Sequence, residues 1–187
     1  MDPQAGMQIL ETYFDRRVEI EIFNRTKDVT LHSPRSYCFS GHSLLPPSPK
    51  ILPGSNATCL FAKGRFSFRG SVGLLVYNSD AFTLAIMFSN PFDYILYHVK
   101  FAVEISPDKD HLGNLKEIYE NMCNNNTPTN ICSSLKKVKL DKYQETLVVT
   151  SRNIHVMATM SNAANAVIKV IVEDKGNPPA NSNNPTY

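Results

Sequence analysis

The sequence has no tryptophan, only four cysteines and almost no excess of either charge. Without tryptophan the chain lacks the strongest anchor for a membrane interface. Cys38, Cys59, Cys123 and Cys132 form no CxxC and share no metal-ligand spacing with histidine, so no metal site is expected. In a chain without a visible leader, reduced thiols are the expectation. Cys123 and Cys132 nevertheless bracket an Asn/Thr-rich loop that a disulfide would close. Nineteen Lys+Arg against seventeen Asp+Glu leave a net charge of +2, too little to draw nucleic acid on electrostatics alone.

Other absences exclude whole classes. No apolar run approaches the ~18–20 residues of a spanning helix. The start, MDPQAGMQILETYFDRR, has no basic stretch followed by an apolar one and does not read as a signal peptide. The expectation is a soluble chain, cytoplasmic or exported by an unconventional route. There is no Gly-rich phosphate loop and no HExxH. His32, His42, His98, His111 and His155 have no spacing to Ser, Cys or acid that suggests a triad, and they read as surface or strand residues. An enzyme, a cofactor and nucleic-acid binding are therefore not expected. The glycosylation patterns at Asn24, Asn56 and Asn125 read as chance matches.

What is present suits one domain with a sizeable core: 187 residues, 42% of them hydrophobic. Met7, Leu10 and Phe14 recur at helical spacing, with Glu11, Asp15 and Arg16 on the other face. Val18, Ile20 and Ile22 then alternate with Glu19 and Glu21, a strand with one wet face. Short strands are expected at Val29–His32, Ser36–Phe39 and Thr58–Ala62, and a loop over the Pro-rich SLLPPSPKILPG. SVGLLVY and AFTLAIMF, around Asn78-Ser79-Asp80, read as a central hairpin covered on both faces. Tyr97–Ile105 reads as a strand. Leu112, Leu115, Ile118, Tyr119 and Met122 then share a helical face, with Asp108 or Asp110 placed to cap its start. TLVVT, IHVMATM and AVIKVIV complete the strands. The tail EDKGNPPANSNNPTY has no apolar period and is expected to be disordered. The basic stretch Leu135–Lys142 reads as a solvated face, or as a surface for anionic lipid head groups or sulfated glycans. The segments are thus 1–16, an amphipathic helix; 17–174, a β-sandwich; and 175–187, a tail. The fold class is mainly β, a sandwich flanked by two short helices.

One stretch stands out, FSNPFDYILYHVKF, Phe88–Phe101. Phe88, Phe92 and Phe101 suit a core. Tyr94 and Tyr97 could offer ring faces to a cation, and tyrosines also sit well at a membrane interface.

Gly70–Ile105 as a whole resembles the core of the sea-anemone actinoporins and their relatives. The resemblance extends through RRVEIEIFNRT, SYCFSGHSLLPP, KEIYENM and MSNAANAVIKVIVED, roughly Leu10–Asp174. It implies a β-sandwich with two flanking helices, a fold shared with fungal fruit-body lectins. It further implies binding to phosphocholine lipids, chiefly sphingomyelin, by a chain that is a monomer in solution. An N-terminal helix would then insert and line an oligomeric, cation-conducting pore. Carried over by position, the head-group pocket would comprise Ser40, Val72, Ser89, Pro91 and Tyr97, with Tyr119 from the second helix. Tyr37 and Asp93 match positions near it. Tyr94, Leu96 and Lys100 would form the membrane-contact loop, and Met7, Leu10 and Phe14 the inserting face. Leu96 and Lys100 stand where the family carries exposed tryptophans, and Leu115 and Glu120 where it carries pocket tyrosines. Pro3–Arg16 as a helix would span about 21 Å, against the ~30 Å hydrocarbon core. Insertion would therefore call on the first strand to unravel, or on a segment upstream of this sequence. Two functions follow, a pore-forming cytolysin or a non-lytic reader of lipid head groups or glycans on the same sandwich.

Overall fold

A computed structural model describes residues 16–65, 67–125, 128, 130–140 and 145–176. The helical segment with Met7, Leu10 and Phe14 lies outside the described residues, as does the tail from residue 177 onward. Chain order runs β1 (Arg17–Asn24), β2 (Leu31–Ser40), β3 (His42–Leu45), β4 (Lys50–Ile51), β5 (Asn56–Ala62), β6 (Ser71–Asn78), β7 (Thr83–Asn90) and β8 (Lys100–Ser106). A 3₁₀ turn (Asp110–Leu112) and one α-helix, α1 (Leu115–Asn124), follow. Then come β9 (Ser134–Lys139), β10 (Leu147–Ser151), β11 (Ile154–Met160) and β12 (Asn165–Asp174).

Two six-stranded sheets form, in the orders β10-β11-β12-β1-β5-β3 and β4-β2-β6-β7-β8-β9. The alternation predicted for the first strand is present: Val18, Ile20 and Ile22 are buried while Glu19 and Glu21 are not. β1 pairs in parallel with β12 and antiparallel with β5. Its apolar face meets Leu75, Tyr77, Leu84, Ile86 and Phe88 of the second sheet in one inter-sheet core. Rings cross the gap at Phe61 and Phe88, 4.8 Å between centroids.

β6 and β7 are buried on nearly every residue, and the hairpin between them closes through Ser79. Their inner side chains join the inter-sheet core. Their outer ones, Val72, Leu74, Val76, Ala85 and Met87, lie under Ile118, Tyr119 and Met122 of α1. Both-sided covering is why these strands read as continuous apolar runs.

Several expectations are corrected. The two short strands before Ser40 are one strand, β2, kept in register with β6 by irregularities at His32/Arg35 and Cys38/Ser40. The Pro-rich stretch is not wholly loop, since β3 and β4 lie within it as edge strands, where proline is tolerated. β8 begins at Lys100 rather than Tyr97. α1 is capped by Asn114, whose side chain accepts from the Lys116 amide at 2.9 Å. Asp110 instead accepts from Ser106 and Ser133 hydroxyls at 2.7 and 2.9 Å. His111 is no surface residue. It is fully buried, 2.9 Å from Thr83 Oγ1 and 3.2 Å from Glu104 Oε2, and fastens the 3₁₀ turn to the sheet. All four cysteines are free, so Cys123 and Cys132 are not bridged. The Asn24 side chain is buried and donates to the Val29 and Ile51 carbonyls, which removes it from glycosylation.

Phe88→Ala removes a fully buried ring from the inter-sheet core. It should cost about 3–5 kcal/mol, read as a lower urea midpoint in equilibrium unfolding.

Candidate functional site

Strand register places the sequence-derived residues. Ser40 of β2 pairs with Val72 of β6, Val72 with Ser89 of β7, Ser89 with Lys100 of β8, and Lys100 with Lys139 of β9. Residues directly opposite on neighbouring strands point to the same face, with Cβ atoms about 4.5–5.5 Å apart. Ser40, Val72, Ser89 and Lys100 therefore form one transverse row. Val72 belongs to the apolar cluster beneath α1, so the row lies on the outer, helix-bearing face of its sheet.

The irregularity at Cys38/Ser40 sets two residues of β2 against one of β6. Phe39 shares the face of Tyr37, two residues before it, and its ring lies beside Tyr119, 5.6 Å between centroids and only 16° from parallel, while the extra residue lets Ser40 face the same side. Tyr37 approaches the same tyrosine at 5.6 Å from another side. Tyr37, Phe39 and Tyr119 thus form an aromatic wall flanking Ser40 and Val72. The Arg69 guanidinium lies 5.9 Å from the Phe39 ring. Burial first, then its contact with Cys123, pushes the Tyr119 hydroxyl well above the ordinary range. It stays neutral at any physiological pH.

Ser40 donates to the Gly70 carbonyl at 2.9 Å. Gly70 has φ +90°, and a Cβ there would sit 2.2 Å from the Asn90 carbonyl oxygen and 2.7 Å from the Phe92 amide. Only glycine lets this backbone lie against the end of β7. The Ser89 hydroxyl has no hydrogen-bond partner among the described residues, which leaves it available to a ligand.

Beyond β7 the chain turns outward. Asn90 is fully buried, and its side-chain amide donates to the Arg17, Ala163 and Ala164 carbonyls at 2.8–3.1 Å. Its Oδ1 accepts from the Tyr94 hydroxyl at 2.8 Å. Pro91 follows, buried. Asp93 Oδ1 accepts from the Ile95 and Leu96 amides at 2.8 and 3.1 Å, a side-chain turn of the kind aspartate favours. Arg16 clasps the loop from below. Its guanidinium donates to the Pro91 and Phe92 carbonyls at 3.1 and 2.9 Å and lies 4.7 Å from the Tyr94 ring centroid.

The outcome is a fastened loop with an apolar crest. Ile95 is 93% exposed, Leu96 70% and Tyr97 62%. Phe68, 82% exposed, stands at the same end with its ring edge-on to Phe92. Large apolar side chains clustered in the open mark an interaction surface. Tyr94 is more enclosed than its three neighbours and spends its hydroxyl on Asn90. Lys100 lies in the row rather than on the crest.

Sequence reasoning missed five residues. Ile95 and Phe68 carried a signal, being bulky apolar side chains in segments otherwise reading as turns. Phe39 follows Tyr37 at strand spacing and could have been read from it, whereas Arg16 and Asn90 depended on tertiary contacts that a periodic pattern does not reveal. Among the described residues no group of three or more His, Cys, Asp or Glu could hold a metal, and no helix is long and apolar enough to cross a membrane.

The family model of the sea anemone cytotoxic protein matches residues 12–173, the whole sandwich. The chain belongs to this family. That family is one of cytotoxic proteins rather than of enzymes. A related segment occurs in DELTA-alicitoxin-Pse1b of Phyllodiscus semoni, 43% identical over 61 residues, 32% of this chain and 26% of the toxin. Another occurs in Hydra actinoporin-like toxin 3 of Hydra vulgaris, 30% identical over 91 residues, 49% of this chain and 57% of the toxin. The alignments thus span little more than a quarter of the one relative and somewhat over half of the other. The fold also resembles the crystal structure of the lipid binding protein Nakanori, with a TM-score of 0.65 at 14% identity, covering 90% of this chain and 77% of that one. That likeness confirms the sandwich expected from the sequence.

Asn90→Leu keeps the volume and removes the donor, leaving buried carbonyls unpaired. It should cost about 2–3 kcal/mol in urea unfolding and open residues 92–98 to limited proteolysis.

Proposed function

We propose that this chain is a membrane-binding, cytolysin-like protein that reads a phosphocholine head group of the sphingomyelin type. Ser40, Val72 and Ser89 supply the floor of the notch, Tyr119 with Tyr37 and Phe39 one wall, and Pro91 and Tyr97 the loop side. The observation that carries the reading is the crest of Ile95, Leu96 and Tyr97, held open by Arg16, Asn90 and Asp93 beside the polar-aromatic row. An apolar crest gains free energy on leaving water only if something apolar receives it, and a bilayer does. Neutral tyrosine rings suit a quaternary ammonium. Residues ahead of Arg16 would then insert, and several copies would assemble into a cation-conducting pore.

A second reading keeps the binding and drops the lysis. It is favoured by the observation that the row and the crest are both built from residues beyond Arg16. Dye release and co-sedimentation, measured on the same sphingomyelin-containing vesicles, separate the two. Release together with binding supports the pore, and binding without release supports the non-lytic reader.

Replacing Ile95 and Leu96 by serine removes two side chains, each contributing about 1.5–3 kcal/mol when fully buried. Binding to such vesicles should weaken at least tenfold with the urea midpoint unchanged. Tyr97→Ala should weaken binding to phosphocholine vesicles more than Tyr94→Phe, and equal effects would remove Tyr97 from the notch.

A further inference from the structure

The transverse row does not end at Ser89. Lys100 lies next to it, and Lys139 stands directly opposite Lys100 on β9. Both side chains occupy the outer face, since Ala102, two residues along from Lys100, belongs to the cluster beneath α1. Like charges directly opposite each other on neighbouring strands repel. Neither lysine makes an ion pair with a described residue. The third lysine of this face, Lys137, is already engaged. Its ammonium donates to the Met122, Cys123 and Asn125 carbonyls at 2.9–3.2 Å, closing the C-terminal end of α1. Burial, with Lys100 adding to it against an opposing effect of Cys123, lowers the Lys137 ammonium from its usual range. The field of Lys100 therefore reaches along this face. Two uncompensated ammonium groups and one unbonded serine hydroxyl thus sit side by side, within reach of the apolar crest.

We propose that Ser89, Lys100 and Lys139 form a phosphomonoester subsite, which gives this chain a preference for anionic lipids whose terminal phosphate is exposed, such as phosphatidic acid. A phosphomonoester carries a charge of about −1.5 to −2 at neutral pH, which matches the two ammonium groups. A phosphocholine diester carries a single negative charge, balanced by its own cation. The anion relieves the repulsion between the lysines, and the Ser89 hydroxyl donates to an equatorial oxygen. This inference rests on the reading of the row and crest as a lipid-binding surface. It adds the class of head group that the surface selects.

The test is co-sedimentation of the full chain with three kinds of vesicle: phosphatidylcholine alone, phosphatidylcholine with phosphatidic acid, and phosphatidylcholine with phosphatidylserine at the same molar fraction. The wild type should bind the phosphatidic acid vesicles best and the pure phosphatidylcholine vesicles least. Each of Lys100→Gln and Lys139→Gln should weaken binding to phosphatidic acid vesicles about fivefold, the equivalent of about 1 kcal/mol per lysine at an anionic surface. The loss should be larger on phosphatidic acid vesicles than on phosphatidylcholine vesicles. Lys136→Gln is the control. It removes the same charge from the same strand, but it pairs with Val103 of the inner face and should have little effect.

Equal binding to phosphatidic acid and phosphatidylserine, or an equal loss from Lys136→Gln, would show general attraction to negative charge and overturn the subsite while the lipid-binding reading stands. Absence of binding to all three vesicles would overturn the subsite, and absence of binding to sphingomyelin-containing vesicles as well would overturn both. Calorimetric titration with inorganic phosphate separates the lipid from the free ion. Saturable binding of phosphate at lower concentration than phosphatidic acid vesicles would reassign the site to a soluble anion.

Discussion

One buried amide holds the functional end of this molecule together. Asn90 terminates β7 in one sheet, and its side chain satisfies carbonyls of Arg17 and of the Ala163–Ala164 turn, which belong to the other. A buried polar group of this kind is strongly disfavoured unless its partners are all in place. The position of β7 relative to β1 and β12 is thereby set at this end. The oxygen of the same amide receives Tyr94, and Arg16 holds the carbonyls immediately beyond it. The crest is rigid because its root is tied to both sheets. An apolar tip on a loosely attached loop would instead fold back onto the nearest apolar surface.

The second sheet serves two masters. Its inner face supplies half of the core, and its outer face supplies both the bed for α1 and the row from Ser40 to Lys139. α1 covers only part of that face, and Lys137 fastens the end of the helix to β9. The uncovered part of the face is where polar residues replace Leu, Ala and Met along β6, β7 and β8. The boundary between bed and row is thus written into the strands. Val72 is its last apolar member, and Ser89 and Lys100 stand beyond the reach of the helix.

How much of this was legible in the sequence depends on the range of the forces involved. β1, the β6–β7 hairpin and the buried side of α1 were readable because one-faced or two-faced burial imposes a period on neighbouring residues. The bounds of β8 and the presence of β3 and β4 were not. Edge pairing needs few residues and tolerates Pro46, Pro47 and Pro49 nearby, while Tyr97 and His98 keep strand-like composition yet sit in a turn ruled by Asp93. The cap of α1 illustrates competition between neighbours. Asp108 and Asp110 both resemble caps, but Asp110 is claimed by Ser106 and Ser133, and Asn114 takes the role. His111 gave no hint of burial, because its partners Thr83 and Glu104 lie on two strands that only the fold brings to the 3₁₀ turn. Within the site, Ser40, Val72 and Ser89 could be named by resemblance, and the register places them in one row. Ser40 joins Phe39 on that face only because one irregularity in β2 sets two successive residues against Val72.

The location of β1 limits what can be drawn out of the domain. It is an interior strand, laddered to β12 along all eight residues and to β5 along seven. Recruiting even its first turn's worth of residues into a longer inserting segment would strip hydrogen bonds from two neighbours at once and bare the main-chain edges of both. Arg16, just ahead of β1, is itself moored to the crest loop. A displacement of Arg16 is felt first by the carbonyls of Pro91 and Phe92, so the exposed crest and the start of β1 would yield as one mechanical unit.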